Sequence, residues 1–494
     1  MRNLFLLILA ALVIFSQYIT MRVLPGAGAS GVPYIYWVGT LSQDKPKQVE
    51  RFRHWLKKRG LADFDVRIDA NNAQLAKIVI QATAGIGGDV FDAYGAQVSY
   101  MKEMGLLHGF AKGELAKLSG VADSERYPIY LPETDREGLE YAVPFQISVE
   151  GLLVNRSAFA RAGMAPPPLT WDIDTFEATG RAYMKKANAN PNKPDHFFCS
   201  PLNGALSTLY RSYGVSLYNE TLTRAAVDRG TGLSEMFARL LKWTYDDHIL
   251  PTPSDMASMS QENSGYMQPS WAMFSKGRMA LHTGCRFILM PLREMKCAEE
   301  LDAVLPPHAA YPNSVSSARY LVAYAGSKHK PMATAFAAYL RSEDYNRQIV
   351  EGGDNLPPIP TYMDEKAYLQ PAGFTNEWKL NAGFREIAVK YAIGREDSPF
   401  ALHVNCERHF WRQFGAVFSK VVPPAEAVAD IAAGVNKEIK DYLGRHPEKK
   451  AAYEAAIKKQ AQIDALRAAG KKIPLALVDN IFLKKYYADR GLGE

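Results

Sequence analysis

The side chains that could do chemistry are present in number but not in arrangement. Ten histidines are scattered from His54 to His446, and no two take the spacing that sets two imidazoles on one helix face around a metal. His403 and His409 come nearest, six residues apart, and suit core or surface roles better. The carboxylate pairs Glu133 with Asp135 and Asp246 with Asp247 fit turns or solvated faces better than a general acid and base flanking a bond. Cys199, Cys285, Cys297 and Cys406 form neither a C-x-x-C nor a Cys/His zinc pattern. Cys285 and Cys297 either pair in an oxidising compartment or stay thiols like the others. No G-x-S-x-G, H-E-x-x-H or P-loop occurs, and Gly85-Ile86-Gly87-Gly88 precedes a strand where a dinucleotide-binding turn would follow one. The expectation is a protein that binds without catalysing, and that carries no cofactor and no metal.

The elements that must position such a binding site read as α/β. Tyr34-Ile35-Tyr36-Trp37-Val38 is a short apolar strand, and Val49 to Lys58 repeats apolar residues at helical spacing. Phe64 to Ile68 alternates as a strand, Leu75 to Ala84 is a helix closed by glycines, and Asp89 to Asp92 is a third strand before a helix ending at Gly105. This strand-helix alternation predicts a parallel sheet covered by helices. A second α/β region opens at Tyr141 to Phe145 and Gly151 to Asn155, then Pro166 to Asp172 turns into a helix capped by Thr170 or Asp172. Further strands are expected at Gly277 to His282 and Tyr320 to Tyr324, with an apolar helix over Ala333 to Leu340 and mainly helix after Asp364.

At 494 residues with 47% hydrophobic and 22% charged side chains, the chain is too long for one core and is neither disordered nor a polytopic membrane protein. Residues 445–494 hold 11 Lys+Arg against 6 Asp+Glu, so +5 of the net +6 lies there. The body is nearly neutral, which argues against nucleic acid as a partner. Arg2 followed by the apolar run Leu4 to Phe15 is an export signal, and Ala27-Gly28-Ala29 fits a cleavage site. Left uncleaved, the run continued through Ile19 to Val23 reaches the length of a transmembrane helix that would anchor the protein. No Cys follows it, so a lipid anchor is not expected. Ala451 to Ala469 favours a helix with only a thin apolar stripe, expected to lie solvated on the body. The alternative for this basic tail is a tether, its lysine pairs meeting anionic lipid headgroups.

Several segments, in order, resemble the extracellular solute-binding proteins of bacterial ABC importers, in particular family 1, the maltose-binding-protein-like sugar receptors. They are Ile35-Tyr36-Trp37, Glu50-Arg51-Phe52, Ala84 to Val90 and Gly105-Leu106-Leu107, then Tyr141 to Gln146, Leu153 to Arg156, Ala162-Gly163 and Pro167 to Trp171. Phe274 to Ala280 with Gly284, and Ala333 to Leu340 leading to Leu356-Pro357, complete the set. The resemblance spans roughly residues 34 to 443. It departs at Arg286, where sugar binders often carry Trp, at Gly88 where a Pro is usual, and in the tail from about Arg445, which has no counterpart.

The resemblance implies a two-lobed periplasmic-binding-protein fold of the Venus-flytrap kind, closing by a hinge on a small-molecule ligand. It implies residues 1–29 as signal peptide or anchor, an N-lobe of 30–144 and 318–375, a C-lobe of 145–317 and 376–444, and a basic extension of 445–494. It implies a periplasmic receptor that passes a carbohydrate to the permease subunits of an ABC transporter. Alternatives are a receptor for a charged solute such as a polyamine or phosphate ester, and an exported glycoside-active enzyme. Candidate ligand residues are Trp37, Tyr94, Gln97, Gln146, Ser148, Asn203, Arg286 and Trp411. Trp37 reads equally well as core, and Arg286 as a surface ion pair. Trp171 is expected to be structural.

Overall fold

The structure, a computed structural model, describes residues 32–40, 44–111, 113–127, 130, 135–136, 138–190, 194–262 and 268–494. The expected export segment over residues 1–29 lies outside these, as does Glu133. Among the described residues no helix is long and apolar enough to cross a membrane.

Alternation of aromatic and β-branched side chains builds the first sheet. Strand β1 (Tyr34–Val38) pairs in parallel with β2 (Asp65–Asp69) and β3 (Val90–Tyr94). The long strand β13 (Ser314–Tyr324) runs antiparallel to β3 and also carries β4 (Leu107–His108), β8 (Val143–Val149) and β14 (Ala392–Ile393), making seven strands. Helix Asp44–Lys58 buries Phe52, Trp55 and Leu56, spaced for one face, beside helix Lys330–Arg341. Helices Leu75–Thr83 and Gly95–Glu103 cover the opposite face through Ile78, Ala82, Val98 and Met101. A small antiparallel sheet joins β5 (Phe110–Ala111), β6 (Asp135–Arg136) and β7 (Leu139–Glu140).

The second sheet runs β10 (Phe197–Cys199), β11 (Met279–Gly284), β9 (Gly151–Asn155) and β12 (Leu301–Val304), with β10 parallel to β11 and the other pairs antiparallel. All five residues of β9 are buried, as expected for a strand covered on both faces. Helix Ile173–Ala187 packs on one side through Phe176 and Tyr183, with Asp172 as its cap accepting the Thr175 N–H at 2.7 Å. Trp171 is buried and donates to the Leu305 carbonyl at 2.9 Å, a structural role. Helix Trp378–Lys390 covers the other side so closely that a Cβ on Gly383 would stand 2.3 Å from the Ala303 carbonyl oxygen, which only glycine avoids.

Three stretches of chain pass between the sheets. Strand β8 stays in the first sheet through Val149, so the first change of sheet falls at Glu150, later than the expected boundary at 144. The second is the approach to β13. The third follows the Ile147–Leu356 bridge and leads to helix Trp378–Lys390. Pairing of β13 with β8 shifts between Arg319 and Tyr320, a bulge that re-aims the strand at the lobe junction.

The extension is not merely a solvated helix. Helix Lys450–Ala468 leads to Ile473, Val478, Phe482 and Leu483, which pack with Ile463 on Tyr311 and Ile393 of the body. Asn480, fully buried, caps helix Ile481–Asp489 and donates to Ser216 Oγ at 2.9 Å and the Tyr218 carbonyl at 3.1 Å. The four cysteines are free thiols, so Cys285 and Cys297 are not bonded to each other.

Candidate ligand-binding cleft

Three cavities of about 310, 270 and 610 Å³ meet around Arg395 and His403, between the helix that starts at Gly95 and the one that starts at His403. The first is walled by the second lobe and the second by both lobes. The third is walled partly by the extension.

Helix His403–Phe418 aims three side chains at this junction. His403, Glu407 and Trp411 recur every four residues and so share one face, directed at the cleft by burial of Cys406, Phe410 and Phe414 behind them. Trp411 is 46% exposed, held edge-on by Phe410 and Phe414 at ring distances of 5.7 and 5.6 Å. Its wall also carries Asn203, Tyr210 and Glu150. Glu150, at the first crossing, accepts the Thr208 hydroxyl at 2.7 Å. Burial raises its carboxyl above the ordinary range, against the pull of Arg395.

Arg395 donates to Glu407 Oε1 at 3.0 Å, and His403 Nε2 lies 3.2 Å from the same oxygen. His403 Nδ1 stands 3.1 Å from Asp397 Oδ1. Burial opposes protonation of this imidazole, yet Asp397 and Glu407 overcome it and raise its pKa. The loop holding Arg395 and Asp397 is fixed from beneath by the buried Arg211–Glu396 pair and by Arg211 donating to the Gly394 carbonyl at 3.1 Å.

The facing wall comes from the end of β3. Tyr94 is 48% exposed, its hydroxyl accepting from Arg319 at 2.9 Å beside the β13 bulge. Gln97 Oε1 accepts the Tyr94 N–H at 3.1 Å, which pins the side chain across the helix entrance on the cavity wall. Ser316 and Ser317 form the floor. The cleft thus joins aromatic platforms to amide, carboxylate and guanidinium groups. That is the equipment for holding a polar, hydroxyl-rich solute with apolar C–H faces.

Tyr94, Gln97, Asn203 and Trp411 therefore converge on the cleft. Three expectations are corrected. Trp37 is 0% exposed, because its position in β1 points at the helix-covered face. There it packs on Phe145 and Phe336, donates to Asp92 at 2.6 Å and lies under the Lys45 ammonium. Arg286 is 1% exposed and is neither a cleft group nor a surface ion pair. It donates to Asn381 Oδ1 at 2.8 Å and to the Asp354 carbonyl at 2.6 Å, over the Tyr368 ring. Gln146 is buried and spent on Asp354. Ser148 sits half-buried in β8, opposite Ser317 of the floor.

Glu150, Tyr210, Arg395, His403 and Glu407 escaped the sequence reading. A signal existed for two of them, since the spacing of four from Trp411 back to Glu407 and His403 marks a helix face.

The profile of the bacterial extracellular solute-binding proteins matches residues 56–380. No curated protein matches the chain. Among solved structures, the ABC substrate-binding protein Lmo0181 of Listeria monocytogenes, in complex with cycloalternan, aligns at 17% identity and TM-score 0.68, covering 82% of this chain and 98% of that one. The GacH receptor of Streptomyces glaucescens, solved unliganded and with acarbose, aligns at 18% and 0.65, covering 83% and 99%. Maltose-bound MalE3 of T. maritima aligns at 13% and 0.65, covering 83% and 100%. These likenesses establish the two-lobed periplasmic-binding-protein fold. With that fold, a cleft at the lobe junction and a profile match over most of the body, the chain belongs to the family of bacterial extracellular solute-binding proteins.

Proposed function

We propose that the protein captures a carbohydrate, a sugar or oligosaccharide, in the cleft between its lobes and delivers it to the transmembrane subunits of an ABC importer. Trp411 carries this reading. A half-exposed indole braced by two phenylalanines, on a wall with Tyr210, Asn203 and Glu150, offers a flat apolar face ringed by hydrogen-bonding groups. Pyranose rings present the complement. The cycloalternan, acarbose and maltose complexes of the solved relatives support the same ligand class.

Tyr94, Gln97, Asn203 and Trp411 are assigned as ligand contacts, with Glu150, Arg395, His403 and Glu407 beside them and Ser148 in the hinge. The lobes are those expected from the sequence, 30–144 and 318–375 against 145–317 and 376–444, with the first crossing moved to Glu150. Residues 1–29 serve as the export segment that places the receptor outside the cytoplasmic membrane, cleaved or kept as an anchor. Arg286 was the feature that favoured a charged solute, and its donors are directed at protein acceptors. The receptor binds without turning its ligand over.

The test is calorimetric titration with maltotriose, cellotriose and a wider panel of neutral and acidic oligosaccharides, for the wild type and Trp411→Ala. Stacking on the indole is worth roughly 1–3 kcal/mol, so the variant should lose about ten- to a hundredfold in affinity at nearly unchanged thermal stability. No binding across the panel, or unchanged affinity in the variant, overturns the reading.

A further inference from the structure

The 610 Å³ cavity is the part of the cleft that the extension builds. One side is Ala96, Ser99 and Tyr100 from the first lobe, and the other is Lys449, Val478 and Lys484. It opens onto the other two cavities through Arg395 and His403. The wall is fixed in place. Asn480 and Glu220 tie the segment around Lys484 to the body by buried hydrogen bonds, including Asp479 and Asn480 N–H groups donating to the Glu220 carbonyl at 2.9 Å.

The charges on this wall are unequally matched. Asp479 accepts from Lys459 through both oxygens at 3.0 and 3.2 Å, Glu396 pairs with Arg211, and Asp397 faces His403 at 3.1 Å. Glu103 already accepts the Tyr442 hydroxyl at 2.5 Å, and Lys449 reaches it only at 3.7 Å. Lys484 has no ion-pair partner among the described residues. Each carboxylate thus has a cation of the protein beside it, while Lys484 is unpaired among the described residues and Lys449 holds its partner only at long range. An anion entering here gains charge-assisted hydrogen bonds in exchange for no more than the long Lys449–Glu103 approach.

Resting on the carbohydrate reading above, we propose that this cavity is a subsite for an acid-bearing saccharide unit. Its carboxylate or sulfate is held by Lys449 and Lys484 beside Arg395, and the neutral remainder of the glycan lies toward Trp411. The extension then sets ligand choice, selecting anionic glycans over neutral ones.

Titration calorimetry with maltotriose, cellotriose, trigalacturonate and a 6-sulfated maltotriose tests this, on the full-length protein and on a Lys449→Gln/Lys484→Gln variant. The expected result is tighter binding of an acidic probe than of the neutral trisaccharides. In the variant the ratio of acidic to neutral affinity should fall about tenfold, at low salt and much less at high salt, where screening removes the term. Response to trigalacturonate alone identifies a uronate, and response to the sulfated probe alone identifies a sulfate ester. Neutral probes bound at least as tightly as both acidic ones overturn the inference and leave the carbohydrate reading standing. So does an affinity ratio that the variant leaves unchanged. Failure of every probe overturns both.

Discussion

Glu220 holds the extension to the second lobe, and changing it should detach the two in a pH-dependent way. Its carboxylate is 0% exposed and accepts from Arg229 at 3.0 Å, Gln460 at 2.8 Å, the Tyr487 hydroxyl at 2.6 Å, and Arg467. Gln460, Arg467 and Tyr487 all belong to the extension. Burial alone would raise its pKa, but Arg229, the Tyr487 hydroxyl and Arg467 outweigh it and hold the group down at about 2, against an ordinary 4.5. At about 1.4 kcal/mol per unit, the ionised carboxylate stabilises the native state by about 3 kcal/mol. The native group binds its proton more weakly than the unfolded one. The stabilisation is therefore complete above about pH 5 and drains away as pH falls toward 2. Glu220→Gln keeps the volume and removes the charge. Urea unfolding of both proteins from pH 7 to pH 2.5 should give a difference of about 3 kcal/mol at neutral pH that shrinks steadily in acid. Trypsin should cut the variant's extension near Lys471-Lys472 before the body. Equal stability at pH 7 would refute the reasoning. A gap that stays constant with pH would show that packing rather than charge is lost.

Arg286→Met should destabilise the protein by about 2–4 kcal/mol in chemical denaturation, because buried carbonyls and Asn381 lose their donor, while calorimetric affinity for neutral sugar stays within about twofold. Lost affinity at full stability would return Arg286 to the ligand site. Tyr442→Phe removes a hydroxyl that donates to Glu103 across the lobes at 2.5 Å. Small-angle scattering of the ligand-free variant should give a larger radius of gyration than wild type, and an identical radius would show that this contact does not bias closure. Burial pushes the Cys285 thiol up to about 12 and Cys199 higher still, so at pH 8 a chromogenic disulfide reagent should leave both unmodified until urea unfolds the protein. Rapid modification of Cys199 in the native state would contradict the packing of β10.

The alternation and helical spacing of the body were legible because one face of each element is buried, and period follows burial. Trp37 shows where that reading stops. A strand ending in Trp marks the right element, but whether the indole faces the helices or the cleft depends on the sheet's orientation, which only Phe145 and Phe336 settle. Arg286 failed for a related reason. Its acceptors are Asn381 and backbone carbonyls near residue 354, some 70 to 95 positions away, and no local pattern announces them. Tyr94 and Gln97 were legible because the end of a strand and the start of a helix are adjacent in sequence and face the cleft by construction. The extension's packing was hidden by its composition. An Ala/Lys-rich helix reads as solvated, while the extension's polar anchors, Asn480 and Gln460 among them, find their partners some 240 to 260 positions away around Glu220 and Tyr218.

Position relative to the hinge decides which of these contacts closure can use. Arg286 joins the lobes beside the crossings through the Asp354 carbonyl, where a rotation moves atoms little, so this contact persists through opening. The Tyr442–Glu103 bond and the 3.7 Å approach of Lys449 to Glu103 lie at the end of helix Gly95–Glu103, away from the crossings, and opening must exchange them for water. Each such exchange costs about 1 kcal/mol. Differential binding worth a few kcal/mol is enough to outweigh contacts of this strength. Lys449 belongs to the extension and Glu103 to the first lobe. The segment beyond residue 445 therefore bears on closure as well as on the cavity it walls, and an anion drawing Lys449 away from Glu103 would exchange one closing contact for another that includes the ligand.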